Sequence, residues 1–268
     1  MVSRIAKKMY LYIIFLFLYA PIVVLVIYSF NESKSRGRWG GFTLKWYYEL
    51  FKDRDLISPL YNTLMIAFLS SVIAVVFGTA AAIGINNMKK FKKAFVMNLT
   101  YIPVLNPDIV TGVSLMLLFI FVRPLINLNL GFTTMLLAHI TFNIPYVILS
   151  VLPKLKQLDK NMYEAALDLG ATPFKALIKV IIPEIMPGIV TGFLLAFTLS
   201  IDDFVISFFT TSSGVSNLSI YVYSMARRGI NPKINALSTL MFVTVLTLLL
   251  IVNRRTSRDE VKAKEMNK

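Results

Sequence analysis

The chain alternates between long apolar runs and short polar gaps. Apolar residues dominate 9–30, 60–85, 95–122, 132–152, 180–209 and 236–252. A bilayer's hydrocarbon core of ~30 Å takes about 20 residues of helix. Lipid offers the backbone no hydrogen-bond partners, so runs of this length are predicted to be helices. The pattern therefore predicts an all-α membrane protein with six spans. Prolines interrupt the third run at Pro103 and Pro107 and the fourth at Pro145. A break of this kind is either a kink or a mark of a substrate region; Pro145 reads as a kink.

The gaps set the orientation. Basic residues gather at the N-terminus (Arg4, Lys7, Lys8), in the second-to-third gap (Lys89, Lys90, Lys92, Lys93) and in the fourth-to-fifth gap (Lys154, Lys156, Lys160, Lys175, Lys179). They gather again in the tail at Arg254, Arg255, Arg258, Lys262, Lys264 and Lys268. Lysine and arginine beside spans mark the cytoplasmic side, which predicts that both termini are cytoplasmic. The first run follows three basic residues as a signal peptide would. It is too long for one and has no small-residue cleavage site after it, so it reads as a retained anchor.

Composition sharpens this picture. Apolar residues make up 56% of the 268, and mean hydropathy is +0.68, too high for a soluble domain. With no cysteine and one histidine, disulfides and multi-histidine metal centres are excluded. The net charge of +14 would suggest nucleic acid in a soluble protein. Here it flanks the spans, so lipid is the expected partner and nucleic acid is not. In the external segment, about 31–59, Trp39, Phe42, Trp46, Tyr47, Tyr48 and Phe51 crowd together behind Thr43, a candidate N-cap. The segment reads as an interfacial helix or as a landing surface for an external partner.

Carboxylates inside apolar runs cost ~2.5–3.5 kcal/mol at a helix centre and usually face a bundle interior or a water-filled path. Asp108 is fifteen positions from both Lys93 and Arg123, which predicts a place near mid-bilayer. Asp202 and Asp203 form a second acidic site at the outer end of the fifth run. On a helix, Ser200, Asp203 and Ser207 share a face, and Asp202 points ~100° away. One of the pair is expected to line a path and the other to brace the helix. No basic residue lies within the spans, so a cationic substrate is the natural counter-charge. The alternative is structural: Asp108 caps the helix after Pro107, and the pair bind backbone or Arg227 and Arg228. Tyr101, Phe204, Tyr221 and Tyr223 offer aromatic faces for cations. His139, with Thr141 and Asn143 beside it, is given no role.

The fourth-to-fifth gap, about 153–183, is polar and long. Asp159 is placed to cap a short helix, Gly170 to end it at positive φ, and Thr172-Pro173 to start a second. Small Ala165 and Ala166 leave room for a partner. The spacing Glu164-Ala165-Ala166, three residues, Gly170, nine residues, Val180, one residue, Ile182-Pro183 resembles the EAA loop of ABC importer permeases. Phe42-Thr43-Leu44-Lys45-Trp46-Tyr47, Pro107-Asp108-Ile109-Val110, His139-Ile140-Thr141-Phe142 and Ser200-Ile201-Asp202-Asp203 are similar to segments of the permeases of spermidine/putrescine importers.

The resemblance implies a six-span permease fold over 1–268 as one domain, in a bacterial inner membrane. It implies that Glu164, Ala165, Ala166, Gly170 and Pro183 belong to the ATPase-coupling loop. Asp108, Asp202, Asp203 and Ser200 become candidates for the substrate path. It implies a second permease subunit, a homodimeric cytoplasmic ATPase carrying ATP and Mg, and an external polyamine-binding protein. No cofactor is expected in this chain, which has no Gly-rich phosphate loop of its own. Iron or thiamine is the alternative cargo. An ion-coupled carrier using Asp108 is disfavoured by the coupling loop and the lack of an internal repeat. An intramembrane aspartyl protease is disfavoured by the missing Gly-x-Gly-Asp signature.

Overall fold

A computed structural model describes residues 2–34, 38–159, 161–212, 214–228 and 232–266; Lys160 and Lys268, part of the orientation signal, lie outside them. The helices are α1 (Val2–Ser29), α2 (Lys45–Phe51), α3 (Arg54–Asn86), α4 (Lys90–Leu105), α5 (Asp108–Ile126) and α6 (Phe132–Gln157). After them come α7 (Asn161–Asp168), α8 (Pro173–Ala176), α9 (Ile182–Asp202), α10 (Val205–Thr210), α11 (Leu218–Arg228) and α12 (Pro232–Met266). A π-helical turn, Leu177–Ile181, joins α8 to α9. It lies just before Pro183, which has no N–H to offer the Lys179 carbonyl. Among the described residues no strand forms, only an isolated bridge between Asn31 and Phe42.

Among the described residues, six helical stretches are long and apolar enough to cross a membrane: Lys8–Ser29, Arg54–Asn86, Asp108–Ile126, Phe132–Gln157, Pro173–Asp202 and Pro232–Arg254. Two of the expected runs are cut. The run 95–122 is two helices, because Pro107 forces Asn106 into an extended conformation (ψ 138°) and ends α4 there. Asp108 is therefore the first residue of α5, not the middle of a continuous helix. The run 180–209 stops at Asp202 and restarts at Val205. α6, by contrast, runs through Pro145 and Pro153 without a break.

The chain falls into two compact units. The first comprises Met1–Ile57 and Tyr221–Thr244. Its order comes from Asn31, which is 1% exposed. The Asn31 amide donates to the Arg38 carbonyl at 2.9 Å and accepts from Gly40 N at 2.8 Å, while its own carbonyl accepts from Trp46 Nε1 at 2.7 Å. Trp46 and Leu50, one turn apart on α2, are buried. Thr43 is not the N-cap; Leu44 holds that place, and the Thr43 hydroxyl accepts from Lys45 N at 3.1 Å, one residue too early to cap. A cavity of about 550 Å³ is lined by Trp46, Glu49, Asp53, Asp55, Tyr221 and Lys233. The Lys233 ammonium lies 3.3 Å from Asp53 and 3.9 Å from Glu49. Burial, then Asp53 and Asp55, push the Tyr221 hydroxyl above its ordinary pKa, against the pull of Arg228.

The second unit comprises Ser58–Ile220 and Val245–Lys268. Its core joins α3, α6 and α9 through Ala74, Ala82, Val147, Val151, Ile185 and Ala196, all fully buried. Small residues let the helices approach closely, as membrane packing requires. A Cβ on Gly78 would stand 2.7 Å from Val147, and one on Gly192 would stand 3.3 Å from the Val147 Cα. A second cluster packs α5, α6 and α10 around Phe119, Ala138, Phe142 and Ile206.

Candidate functional site

The 153–183 segment is built as its local signals predict. Asp159 Oδ1 accepts from Asn161 N at 2.9 Å and starts α7. Gly170, at φ +83°, ends it: Gly170 N donates to the Leu167 carbonyl at 2.9 Å and Ala171 N to Ala166 at 3.0 Å. That pair of bonds is the Schellman closure, which glycine accommodates without strain. Thr172 then caps α8 by accepting from Lys175 N at 3.4 Å, with Pro173 in the first turn. Glu164, Ala165, Gly170 and Pro183 are exposed and Ala166 is half-buried. Two apolar side chains flank the bend in the open, Leu169 at 89% and Phe174 at 70% exposure. A cavity of about 1070 Å³ lies alongside, lined by Lys93, Lys156, Asp159, Glu164, Tyr163 and Phe174. A polar helix pair with bare leucine and phenylalanine at its corner is a surface shaped for a partner.

The segments that follow the acidic residues pack together, α10 on α5. Gly112, one turn beyond Asp108, meets the Ile206 Cα and the Val205 carbonyl at 3.3 and 3.4 Å from its virtual Cβ. Val205 and Ile206 open the first turn after Asp202 and Asp203. Residues nearly a hundred positions apart thus share one neighbourhood, which no local pattern could reveal. Asp108 is exposed at the N-terminus of α5, where the helix dipole favours its charge.

The two neighbouring aspartates differ. Asp202, last residue of α9, is exposed. The Asp203 side chain is only 8% exposed. From the position before the Phe204 N-cap it accepts from Ile206 N at 3.2 Å, from Ser207 N at 2.7 Å and from the Ser207 hydroxyl at 2.7 Å, and it lies 3.4 Å from His139 Nε2. His139 Nε2 also lies 2.9 Å from Ser207 Oγ. Asn217 Nδ2 donates to Ser207 Oγ at 2.8 Å and to the Asp203 carbonyl at 2.9 Å.

Ser200 is 2% exposed, with its hydroxyl 3.2 Å from Ser70 Oγ and 2.8 Å from Asn143 Nδ2. It ties α9 to α3 and α6 and does not share the Asp203–Ser207 contact that an unbroken helix predicts. Sequence reasoning missed the bracing set of His139, Asn143, Ser207 and Asn217. The signal available was the four-residue spacing of His139 and Asn143, two polar groups on one face of an apolar run.

Comparison with known proteins places this geometry. The family described as "Binding-protein-dependent transport system inner membrane component" matches residues 74–255. The chain is 37% identical over 234 residues to the Escherichia coli K12 "Spermidine/putrescine transport system permease protein PotC", covering 87% of each. It is 42% identical over 222 residues to the same organism's "Putrescine transport system permease protein PotI", covering 81% of this chain and 79% of that one. Among solved structures it is similar to a chain of a bacterial ABC transporter involved in the import of alginate. The TM-score there is 0.70 at 17% identity, over 96% of this chain and 98% of that one. At that identity the likeness concerns the fold alone.

Proposed function

The chain belongs to the family of binding-protein-dependent transport system inner-membrane components, and from that premise we propose that it is the polyamine-carrying half of an ATP-driven importer. As a multi-pass inner-membrane permease it supplies one side of a translocation path; a second permease subunit supplies the other. Both termini are cytoplasmic, and 1–268 works as one permease domain. ATP and Mg belong to a homodimeric cytoplasmic ATPase that grips the Glu164–Gly170 bend. A substrate-loaded external binding protein delivers the cargo.

One observation carries the cargo assignment beyond the printed names of the relatives: two exposed carboxylates, Asp108 and Asp202, on segments that packing brings together in a span region. A polyamine has separated ammonium groups, and each can meet one acid in turn as it moves inward. Asp203 and Ser200 hold the walls.

In the coupling step, closure of the ATPase dimer moves the α7–α8 bend as a unit. Leu169 and Phe174 give it apolar grip, and Glu164 a charged contact. The rigid α3–α6–α9 core passes that motion to the α9–α10 break. The test is ATP-driven uptake by the reconstituted complex of both permeases, ATPase and binding protein. Spermidine or putrescine is expected to accumulate, and Glu164→Lys is expected to abolish accumulation at normal expression. Uptake of thiamine or iron instead would overturn the cargo, and full activity in Glu164→Lys would overturn the coupling.

A further inference from the structure

The helix break at Asp203-Phe204 has one local support, the Asp203 side chain on Ile206 N and Ser207 N. Ile201 through Ile206 contains neither glycine nor proline, and apolar residues on both sides favour a continuous helix in lipid. Were it continuous, positions 202 and 206 would stack on one face, four residues apart. Ile206 is 3% exposed, packed between α5 and α6. Asp202 already belongs to α9, so a continuous helix would not turn it but would lay residues 205 and 206 over it. With the break, Asp202 is exposed instead. Whatever holds the break open also keeps Asp202 uncovered.

The rest of the hold comes from across the bundle. The Ser207 hydroxyl has one proton, and it goes to Asp203 Oδ2 at 2.7 Å. Ser207 Oγ must therefore accept from both Asn217 Nδ2 and His139 Nε2, which puts the His139 proton on Nε2. His139 is 1% exposed, and its Nδ1 has no hydrogen-bond partner. Its whole polar attachment is thus the Nε2 end, which reaches Ser207 at 2.9 Å and Asp203 at 3.4 Å. From the other side Asn217 is anchored by its own neighbours: Ile220 N donates to its Oδ1 at 2.9 Å, and Leu218 N donates to Thr63 of α3 at 2.7 Å. α6 and α3 thus clamp the break from two directions.

We propose that His139 is a positioning residue for Asp202: its Nε2–H, given to the Ser207–Asp203 pair, keeps α9 and α10 apart and so presents the Asp202 carboxylate to the substrate path. Its transport arm rests on the polyamine-import reading; its structural arm does not.

The chain has no cysteine, so an Asp202→Cys substitution introduces its one thiol. In the assembled complex, the rate at which a cationic methanethiosulfonate reagent modifies that thiol reports how position 202 is presented. His139→Ala is expected to slow modification by about tenfold, the scale set by small misplacements at a site. His139→Gln keeps an N–H near the Nε2 position and is expected to restore the native rate; His139→Asn falls short and is expected to behave as alanine does. If His139→Ala does not assemble, the glutamine and asparagine variants still decide. Equal rates across the series, or a glutamine variant no better than asparagine, would overturn the role. With Asp202 intact, His139→Asn is expected to raise the KM for spermidine uptake several-fold while kcat changes less, and His139→Gln to leave both near native. An assembly that carries no polyamine at all removes the cargo reading, and the thiol rates then judge His139 alone.

Discussion

The bend at Gly170 and the break at Asp203 both interrupt helix, yet they are made in different ways. At Gly170 everything is local. One residue with φ +83° closes α7, the next polar residue opens α8, and nothing lies within 4 Å of where a Cβ would stand. At Asp203 the backbone is ordinary, with φ −63° and ψ 125°, and the interruption is held by the Asp203 carboxylate together with side chains from α6 and from the segment before α11. A bend that carries its own instructions can protrude and be gripped without disturbing the core. A break held in part by distant partners responds to them, which suits a place where substrate contact and helix packing must be linked.

Cutting the buried hold should do the most damage. Asp203→Ala leaves His139 and Ser207 facing an apolar gap and strips the α10 N-terminus of its acceptor. Leaving the Ser207 N–H and hydroxyl without their acceptor costs about 1–3 kcal/mol each. Thermal unfolding of the complex in detergent, or the folded yield, is expected to show this. Asp203→Asn keeps an acceptor and is expected to lose much less. Asp202→Asn, on an exposed side chain, is expected to unfold at the native temperature while spermidine uptake falls. A shared loss of stability by both asparagine variants would erase the distinction between the two aspartates.

At the coupling bend the expected loss is functional. Gly170→Pro removes the N–H given to Leu167 and forbids positive φ. The α7–α8 angle changes while the core beneath is untouched. Allosteric coupling is typically about 1–3 kcal/mol, or about 5–150-fold. Stimulation of the ATPase by loaded binding protein is expected to fall within that range, with the unfolding temperature little changed. Preserved stimulation would mean that the bend does not transmit. Between these cases lies the core contact: Gly78→Ala drives a methyl to 2.7 Å from Val147. Overpacking of this kind costs about 1–3 kcal/mol, and the same stability assay reads it.

The contrast also explains what could be read in advance. Six spans follow from apolar run length, and the α7–α8 bend follows from Asp159, Gly170 and Thr172-Pro173, each acting over three or four residues. The end of α4 follows from Pro107 by the same local logic, although hydropathy alone merged α4 with α5 and misplaced Asp108 at a helix centre. The break at Asp203 was hidden because much of its hold is tertiary. Hydropathy shows Phe204 to Phe209 as a continuation of the span, and the packing of Gly112 on Ile206 and the reach of His139 join the Asp203 carboxylate in separating α10 from α9. The partners of Ser200 were hidden for the same reason: its helical-wheel neighbour is Asp203, but its hydroxyl meets Ser70 and Asn143 on other helices.

The smallest effect is the finest test of locality. The Thr172 hydroxyl accepts from Lys175 N at 3.4 Å, a long bond at an exposed helix start. N-cap deletions cost about 0.5–2 kcal/mol, and this geometry belongs at the low end. α8 spans only Pro173–Ala176 and continues into the π-helical turn, so Pro173 and the packing of buried Ala176 also hold it in place. Thr172→Ala is therefore expected to leave the unfolding temperature within error and to lower ATPase stimulation modestly, by less than Gly170→Pro. Amide hydrogen exchange at Lys175 should rise in this variant while exchange in α9 stays native. Faster exchange reaching α9 would mean that the bend and the core are one cooperative unit, and the claim that the bend carries its own instructions would fail.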